Sequence, residues 1–162
     1  MYQRTTDCDC GGQSLSFRDF GNKVVVAVGA LVFDRRGRLL LVKHGEEKKG
    51  GYWYGKWIPP GGRLEPGETL TEGAAREIRE ETGLEVKLYG KPIVLDRIVR
   101  DGLAVKLHVV YVSYLCKLSD GSPVAQSDVS VAKWFCWDEI VRSRSELHED
   151  VRRLLAQSYL HV

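Results

Sequence analysis

A Val-rich, almost uninterrupted apolar run covers residues 23–33 and resumes at residues 39–42 after a polar turn. Apolar side chains at consecutive positions are typical of strands that are buried on both faces of a sheet. We therefore expect these two segments to be neighbouring central strands joined by the turn. A sheet that is apolar on both faces must be covered on both sides, which restricts the chain to layered folds.

Two helices are expected to cover this sheet. Residues 69–82 predict the first, because apolar side chains recur every four positions, Thr69 can cap its start with Glu72, and Gly83 can end it. Residues 146–159 have helical spacing as well. Both helices are amphipathic, as surface helices that pack on a sheet usually are.

Further strands are expected beside the central pair. Residues 86–99 and 103–118 are strand-like and flank Asp101-Gly102, a favoured two-residue hairpin turn, so they should pair antiparallel. A short strand is expected over residues 131–136. Mixed strands with two helices favour a mixed sheet covered by helices, as in α/β or α+β folds.

Length and charge restrict the organisation and the partners. The 162 residues suit one domain, and we divide them into a polar arm, residues 1–22, and a globular domain, residues 23–162. A formal net charge of +2 is too small to attract duplex nucleic acid over long distances. No apolar run is long enough to span a membrane, and the arm is too polar for a secretory signal, so we expect a cytoplasmic protein. The cysteines are expected to be reduced, and a metal site at Cys8 and Cys10 would lack two nearby ligands.

Seven glutamates lie between positions 65 and 85, a strong local excess of negative charge in a nearly neutral chain. Glu77, Glu80 and Glu81 stand at i, i+3 and i+4 of the predicted helix, so their side chains leave it on one side. Carboxylates this close repel one another unless a cation offsets their charge, and oxygen ligands suit Mg²⁺ or Mn²⁺. The alternative is a solvated helix face on which Arg76 pairs with neighbouring glutamates.

The segment before the helix favours a site over a solvated face. Residues 57–62 bring a rigid, glycine-opened backbone to the helix start, where carbonyl oxygens can add to a cation site. From Gly62 the chain reads Gly, five residues, Glu68, seven residues, Arg76-Glu77-Ile78, one residue, Glu80-Glu81, one residue, Gly83-Leu84. At every defined position this resembles the signature of the Nudix hydrolase family, and the similarity extends over about residues 23–157.

The resemblance implies a fold and a set of metal ligands. The fold is an α/β/α sandwich with a mixed β-sheet and a loop-helix-loop catalytic motif. Glu77, Glu80 and Glu81 would bind the divalent cations, Mg²⁺ or Mn²⁺, with the Gly61 carbonyl as a further ligand. Arg76 would support them, because its guanidinium can bind Glu68 through two parallel hydrogen bonds and so lock the loop to the helix.

The position of the general base varies within the family, so two locations stay open. Glu80 or Glu81 could accept a proton from a bound water, or Asp128, in the loop at residues 126–129, could reach the site from a distance. The plainer interpretation of Asp128 is an exposed loop aspartate.

The implied reaction is hydrolysis of a phosphoanhydride bond in a nucleoside diphosphate linked to another group, which makes the chain a pyrophosphohydrolase with a small nucleotide substrate. The proline that often marks ADP-ribose-cleaving members is missing near Val99, and only Pro92 lies nearby. This slightly favours (deoxy)nucleoside triphosphates, as for the MutT-like group, over ADP-ribose or other nucleotide sugars. A homodimer stays open, because dimers are common among similar proteins.

A catalytically silent module that binds a nucleotide or an RNA end is the alternative function. Such modules usually lack glutamates of the signature, whereas this chain retains Glu68 and the three helix glutamates. The sequence therefore favours an enzyme.

Three further groups of residues have a plain and a functional interpretation. The histidines show no ligand spacing and are expected to lie on the surface or to be hydrogen-bonded within the protein, and the functional alternative is that His44 lies near the substrate. Aromatic residues before the helix can stack on a nucleobase or anchor the loop, and cations around the hairpin can contact phosphate or solvent. These groups are His44, His108, His148 and His161; Tyr52, Trp53, Tyr54 and Trp57; and Arg97, Arg100 and Lys106.

Overall fold

A computed structural model describes residues 23–88, 90–119 and 121–158. The expected α/β (α+β) fold class is confirmed, because the elements form a mixed sheet with helices on both faces. In chain order they are β1 (Val24–Phe33), β2 (Leu39–His44), a 3₁₀ turn (Glu46–Lys48), β3 (Gly61–Arg63), α1 (Leu70–Thr82), β4 (Ile93–Asp101), β5 (Ala104–Lys117), β6 (Val129–Phe135), α2 (Trp137–Arg142) and α3 (Glu149–Ser158).

The sheet has the strand order β4-β5-β1-β2-β6, and β3 pairs with β1. Strands β1 and β5 run parallel, whereas the other paired strands run antiparallel. Strand β1 meets β2 only at Phe33 and Leu39, and earlier along its length it pairs with β3 instead. The sheet therefore opens between β1 and β2, and residues 57–63 enter the opening, where Ile58 bridges to Val42.

Strand β1 is buried on both faces, as its sequence predicts. Val28, Ala30 and Val32 pack on one face with residues of α1, and Leu31 packs on the other face with residues of α2 and α3. Alternate side chains thus serve two separate cores, one on each side of the sheet. This arrangement fixes α1 against the sheet at the place where the sheet opens.

Two glycines allow the backbones of β1 and β3 to approach closely. A Cβ atom at position 29 would lie 2.5 Å from the carbonyl oxygen of Pro60, and one at position 61 would lie 2.5 Å from that of Val28. Real Cβ atoms do not tolerate such contacts, so only glycine fits at both positions. The strand β3 was not expected from the sequence, since Gly-Gly-Arg has no strand propensity and pairs only because of this close approach.

Several expected boundaries differ from the structure. Residues 86–88 and 90–92 form no strand, because Gly90 has a φ of +87° and Pro92 lacks an amide hydrogen for pairing. Helix α2 was not expected, because its six residues are too few for a helical period. Helix α3 begins at Glu149 rather than at residue 146, because the preceding turn ends in a bridge between Leu147 and Trp57.

The hairpin between β4 and β5 pairs antiparallel, as expected, but its turn is displaced by one residue. Asp101 pairs with Ala104, so the turn is Gly102-Leu103, and Gly102 takes the positive φ of +57°. Cys116 and Cys136 are free thiols. Cys8 and Cys10, and with them the polar arm, lie outside the described residues.

We predict that Gly29→Ala destabilises the protein by about 1–3 kcal/mol, because the added methyl group collides with the Pro60 carbonyl and forces β1 and β3 apart. Urea denaturation measures this free energy of unfolding. Val24→Ala is the matched control in the same strand, because Val24 is 55% exposed, and it should change stability far less. Equal stabilities of Gly29→Ala and the parent protein would contradict the close-packed pairing.

Candidate active site

Local sequence fixes the helix that carries the three glutamates. The Thr69 hydroxyl accepts a hydrogen bond from the Glu72 amide at 3.3 Å, and the Glu72 carboxylate accepts one from the Thr69 amide at 2.8 Å. Gly83 ends the helix in the left-handed conformation, with a φ of +68°. The predicted caps are confirmed, and they fix where the helix begins and ends.

Arg76 is the centre of a hydrogen-bond network among these carboxylates. Its Nε donates to Glu68 Oε1 at 2.6 Å and its Nη2 to Glu68 Oε2 at 3.0 Å, which is the predicted bidentate pair. Its Nη1 donates to Glu77 Oε1 at 2.9 Å and to Glu80 Oε2 at 3.2 Å. Nη2 also donates to the Arg63 carbonyl oxygen at 3.0 Å, so one guanidinium joins the loop, the helix and β3.

This network holds Glu68 in its ionised form. Hydrogen bonds from Arg76 are the main cause that lowers the pKa of Glu68 to about 2. Glu68 therefore stays charged at any physiological pH. Its charged carboxylate holds the Arg76 guanidinium in one orientation through two hydrogen bonds. Arg76 then directs its remaining N–H group towards Glu77 and Glu80.

Glu77 and Glu81 point towards the opening of the sheet and are largely buried, whereas Glu80 is 45% exposed. A Cβ atom at position 62 would lie 2.5 Å from the Glu77 carboxyl carbon, so Gly62 makes room for that side chain. The Gly61 amide donates to Glu81 Oε2 at 2.9 Å. The glycines of the signature thus act through their backbone and through the space that they leave.

Burial dominates the electrostatics of the two inner glutamates. It raises the pKa of Glu77, and it raises the pKa of Glu81, which is only 3% exposed, well above its ordinary value. The Gly61 hydrogen bond and the Arg76 guanidinium offset only part of this effect. An additional cation would therefore favour the ionised form of both side chains.

Asp128 reaches this cluster from the other end of the helix. The loop before β6 is tied to the last turn of α1, where the Gln126 amide donates to the Glu81 carbonyl oxygen at 3.1 Å. Asp128 is 28% exposed, and its Oδ2 lies 2.8 Å from the Lys48 ammonium nitrogen. The interpretation of Asp128 as an exposed loop aspartate is therefore wrong.

Charged and polar neighbours change the acidity of Asp128. His44 and the Lys48 ammonium hold its pKa well below the usual range, in spite of partial burial. The sequence left open that His44 lies near the substrate, and the structure places it in one cleft with the helix glutamates, whereas Lys48 was not identified. The signal that supports the functional interpretation of His44 is its position at the end of a central strand, where sites commonly assemble.

A cleft of about 570 Å³ contains all of these side chains. Its lining includes Arg76, the three helix glutamates and Asp128, and it also includes apolar residues such as Val109, Val151 and Leu154, with His148 and Asp150 beside them. A cleft with both charged and apolar lining suits a ligand that has a charged and an aromatic part.

The aromatic residues before β3 divide into two groups. Trp57 is 9% exposed and packs edge-on against Phe135 at 4.7 Å, so it anchors the loop in the core. Trp53 and Tyr54 line the cleft, and Trp53 Nε1 donates to the Tyr111 hydroxyl at 2.9 Å. Trp53 also packs against the hydrophobic core, so the anchor interpretation holds for Trp57 and for Trp53.

Two of the three cations of the hairpin, Arg97 and Lys106, form ion pairs within the protein. Arg97 donates to the buried Asp150 carboxylate at 2.9 Å and lies 3.0 Å from Glu149. Lys106 lies 3.3 Å from Asp101. Arg97 thus ties α3 to β4 and serves the architecture of the cleft wall.

The residues of the cleft fit a divalent cation. Two buried carboxylates and one exposed carboxylate lie on one side of a helix with a single shared guanidinium. Oxygen donors of this kind suit Mg²⁺ and Mn²⁺. The raised pKa of Glu81 indicates that the protein alone does not supply enough positive charge to balance an ionised carboxylate there.

None of the helices in the described parts of the chain has the length and apolar character needed to span a membrane.

Comparisons with known proteins bear on the family of this chain. The family model of the NUDIX domain matches residues 23–157. A MutT-like protein of Streptomyces ambofaciens is 30% identical over 123 residues, which are 76% of this chain and 71% of the relative. Nucleoside triphosphatase NudI of Enterobacter sp. (strain 638) is 26% identical and is covered over 93% of its length by 80% of this chain.

A solved structure shows the same fold. The crystal structure of a MutT NUDIX hydrolase from Burkholderia pseudomallei superposes with a TM-score of 0.69 at 27% identity, over 84% of this chain and 98% of that chain. Both the sequence and the fold are therefore those of a known group of enzymes. The chain belongs to the Nudix hydrolase family and is a pyrophosphohydrolase.

Proposed function

We propose that this enzyme uses Mg²⁺ or Mn²⁺ to hydrolyse a phosphoanhydride bond in a nucleoside diphosphate-linked substrate, with (deoxy)nucleoside triphosphates as the preferred class. The observation that carries the proposal is the convergence of Glu77, Glu80 and Glu81, with Arg76, on one wall of the cleft. A diphosphate carries concentrated negative charge, and it would meet cations held by these carboxylates.

The shape of the cleft supports a nucleotide as the substrate. Its volume of about 570 Å³ suits a ligand of that size. We propose that the phosphates lie at the helix glutamates and that the nucleobase lies beside Trp53 or Tyr54, which line the same cleft and where a ring can stack. The names of the MutT-like protein and of the nucleoside triphosphatase support triphosphates, and ADP-ribose or another nucleotide sugar is the second choice.

In this proposal, Glu77, Glu80 and Glu81 hold the divalent cation, and the Gly61 carbonyl adds a ligand. When bound, the cation neutralises charge on the phosphates and acidifies the attacking water. Arg76 keeps the ligands aimed through its bonds to Glu77 and Glu80, and Glu68 in turn holds Arg76. Water attacks phosphorus directly, so no protein nucleophile is needed.

The proton of the attacking water needs an acceptor. We assign this role to Glu80 for the case in which Glu77 and Glu81 alone hold the cation, because Glu80 is 45% exposed and Arg76 leaves one of its oxygens free. That oxygen cannot bind a cation and a proton at once. Asp128 remains the distal candidate, yet its lowered pKa makes it a weak base. Its position beside Glu81 supports a role in binding.

The setting of the reaction is also part of the proposal. A small-molecule nucleotide is the expected partner, in the cytoplasm, and a homodimer is compatible with it.

A phosphate-release screen over nucleoside triphosphates, ADP-ribose and other nucleotide sugars tests the proposed function. We expect turnover with Mg²⁺ or Mn²⁺, highest for a triphosphate, and none in excess EDTA. Nucleotide binding without turnover of any substrate would establish the silent module instead. Full activity in EDTA would overturn the metal dependence.

We predict that Glu81→Gln has opposite effects on activity and stability. The kcat should fall on the order of a hundredfold or more, because the negative charge at the cation site is lost. The metal-free protein should become more stable at neutral pH, because burial of a charged carboxylate opposes folding. Chemical denaturation in EDTA measures the second effect.

The raised pKa of Glu81 also determines how the stability of the metal-free protein changes with pH. In the folded protein the Glu81 carboxyl keeps its proton above the ordinary pKa of 4.5, so the folded state binds more protons than the unfolded state. Stability of the metal-free parent should therefore fall as the pH rises above 4.5, and less so in Glu81→Gln. Glu80→Gln is the control for stability. Because Glu80 is 45% exposed, this substitution should change the free energy of unfolding little. A Glu81→Gln variant less stable than the parent would contradict the assignment.

We predict that Arg76→Lys is not a conservative change. A lysine cannot form the bidentate pair with Glu68 and also reach Glu77 and Glu80, so the ligands lose their common orientation. Affinity for Mn²⁺, measured by calorimetry, should fall about tenfold or more, and kcat should fall with it. The exposed Arg79→Lys on the same helix is the control. Parental affinity in Arg76→Lys would reduce Arg76 to a surface charge.

A further inference from the structure

One buried nitrogen next to the glutamate cluster has no partner. In the part of the chain that the structure describes, His44 Nδ1 is the single buried side-chain nitrogen or oxygen without a hydrogen-bond partner. The side chain of His44 is only 12% exposed. A buried polar atom without a partner costs free energy, so a native protein retains one where something else binds it.

The surroundings of this nitrogen are oxygen atoms of two carboxylates. His44 Nδ1, a carboxylate oxygen of Glu81 and one of Asp128 all lie within 4.8 Å of one another. A cation with six ligands at about 2.2 Å places its ligand atoms about 3 to 4.4 Å apart. The three atoms are therefore close to the spacing that one cation between them requires.

A direct contact between His44 and Asp128 does not explain the arrangement. Nδ1 lies 3.7 Å from Asp128 Oδ1, which is beyond hydrogen-bond distance. The other oxygen of Asp128 is already paired with the Lys48 ammonium at 2.8 Å. At this separation of Nδ1 and Oδ1, one ion can bind both atoms at once.

Three different elements bring these ligands together, and backbone hydrogen bonds hold them in place. His44 ends β2, where the register with β6 shifts, and the Gly45 amide donates to the Asp128 carbonyl oxygen at 2.9 Å. The Gln126 amide donates to the Glu81 carbonyl oxygen at 3.1 Å. The donor atoms are thus positioned by the sheet and the helix end rather than by flexible side chains alone.

We propose that His44, Glu81 and Asp128 form a divalent cation site with a nitrogen ligand at the inner end of the cleft. This site rests on the proposed function, because both use Glu81 as a metal ligand. His44 is an additional ligand. Imidazole nitrogen binds first-row transition metals more strongly than Mg²⁺, so this site selects Co²⁺, Ni²⁺ or Mn²⁺ over Mg²⁺. Without a metal, Lys48 balances the negative charge of Asp128. In this proposal the bound metal takes over that role.

The experiment uses Mn²⁺ as a paramagnetic probe of the metal site in the full chain without substrate. Pulsed electron paramagnetic resonance detects hyperfine coupling to ¹⁴N only when a nitrogen binds Mn²⁺ directly. We expect this coupling in the parent protein and in His108→Gln, a control histidine within β5. We expect it to be absent in His44→Gln, although Mn²⁺ still binds through the glutamates.

Metal affinities give a second readout that does not depend on activity. By calorimetry, His44→Gln should weaken Co²⁺ binding on the order of tenfold or more and change Mg²⁺ binding much less. Asp128→Asn should weaken Co²⁺ binding in the same direction. Denaturation curves in EDTA establish that both variants fold.

The outcomes separate this inference from the proposed function. Mn²⁺ that binds without ¹⁴N coupling in the parent protein overturns the nitrogen ligand and leaves the proposed hydrolysis intact. Coupling that disappears in His44→Gln supports the site, even where the substrate screen shows no turnover. Equal loss of Co²⁺ and Mg²⁺ affinity in His44→Gln would also overturn the selective role of His44.

Discussion

Glutamate side chains at i, i+3 and i+4 on one helix repel one another, and two of the three are largely buried in this protein. Burial raises the pKa of both Glu77 and Glu81, which is an unfavourable arrangement for a protein without a bound cation. One guanidinium, that of Arg76, is shared among Glu68, Glu77 and Glu80, and it does not reach Glu81 through any hydrogen bond that the described residues show. The remaining charge at Glu81 is what a divalent cation would balance.

The opening of the sheet makes this burial possible. Strands β1 and β2 separate after a single register pair, and the chain before α1 enters the gap. Gly29 and Gly61 allow the close backbone contact that holds the segment there, and Gly62 leaves the space for Glu77. The same backbone therefore completes the sheet, supplies the Gly61 amide to Glu81 and forms the wall of the cleft.

The sequence predicted the parts of the site that depend on short-range patterns. The caps of α1 and the pairing of Arg76 with Glu68 follow from spacing along one helix and its preceding loop, and the structure confirms both. It did not predict β3 or the neighbours of Asp128, because these arise from contacts between distant segments. Lys48 follows β2 and meets Asp128 only through the pairing of β2 with β6, which no local pattern reveals.

Proton release on metal binding tests most directly whether burial of Glu81 prepares the site for a cation. Calorimetric titration of Mn²⁺ at about pH 6, in buffers with different ionisation enthalpies, counts the protons that leave the protein on binding. We expect the parent protein to release protons and Glu81→Gln to release fewer, because the metal displaces the proton that burial retains on Glu81. The same number of protons released by the parent and by the variant would contradict it.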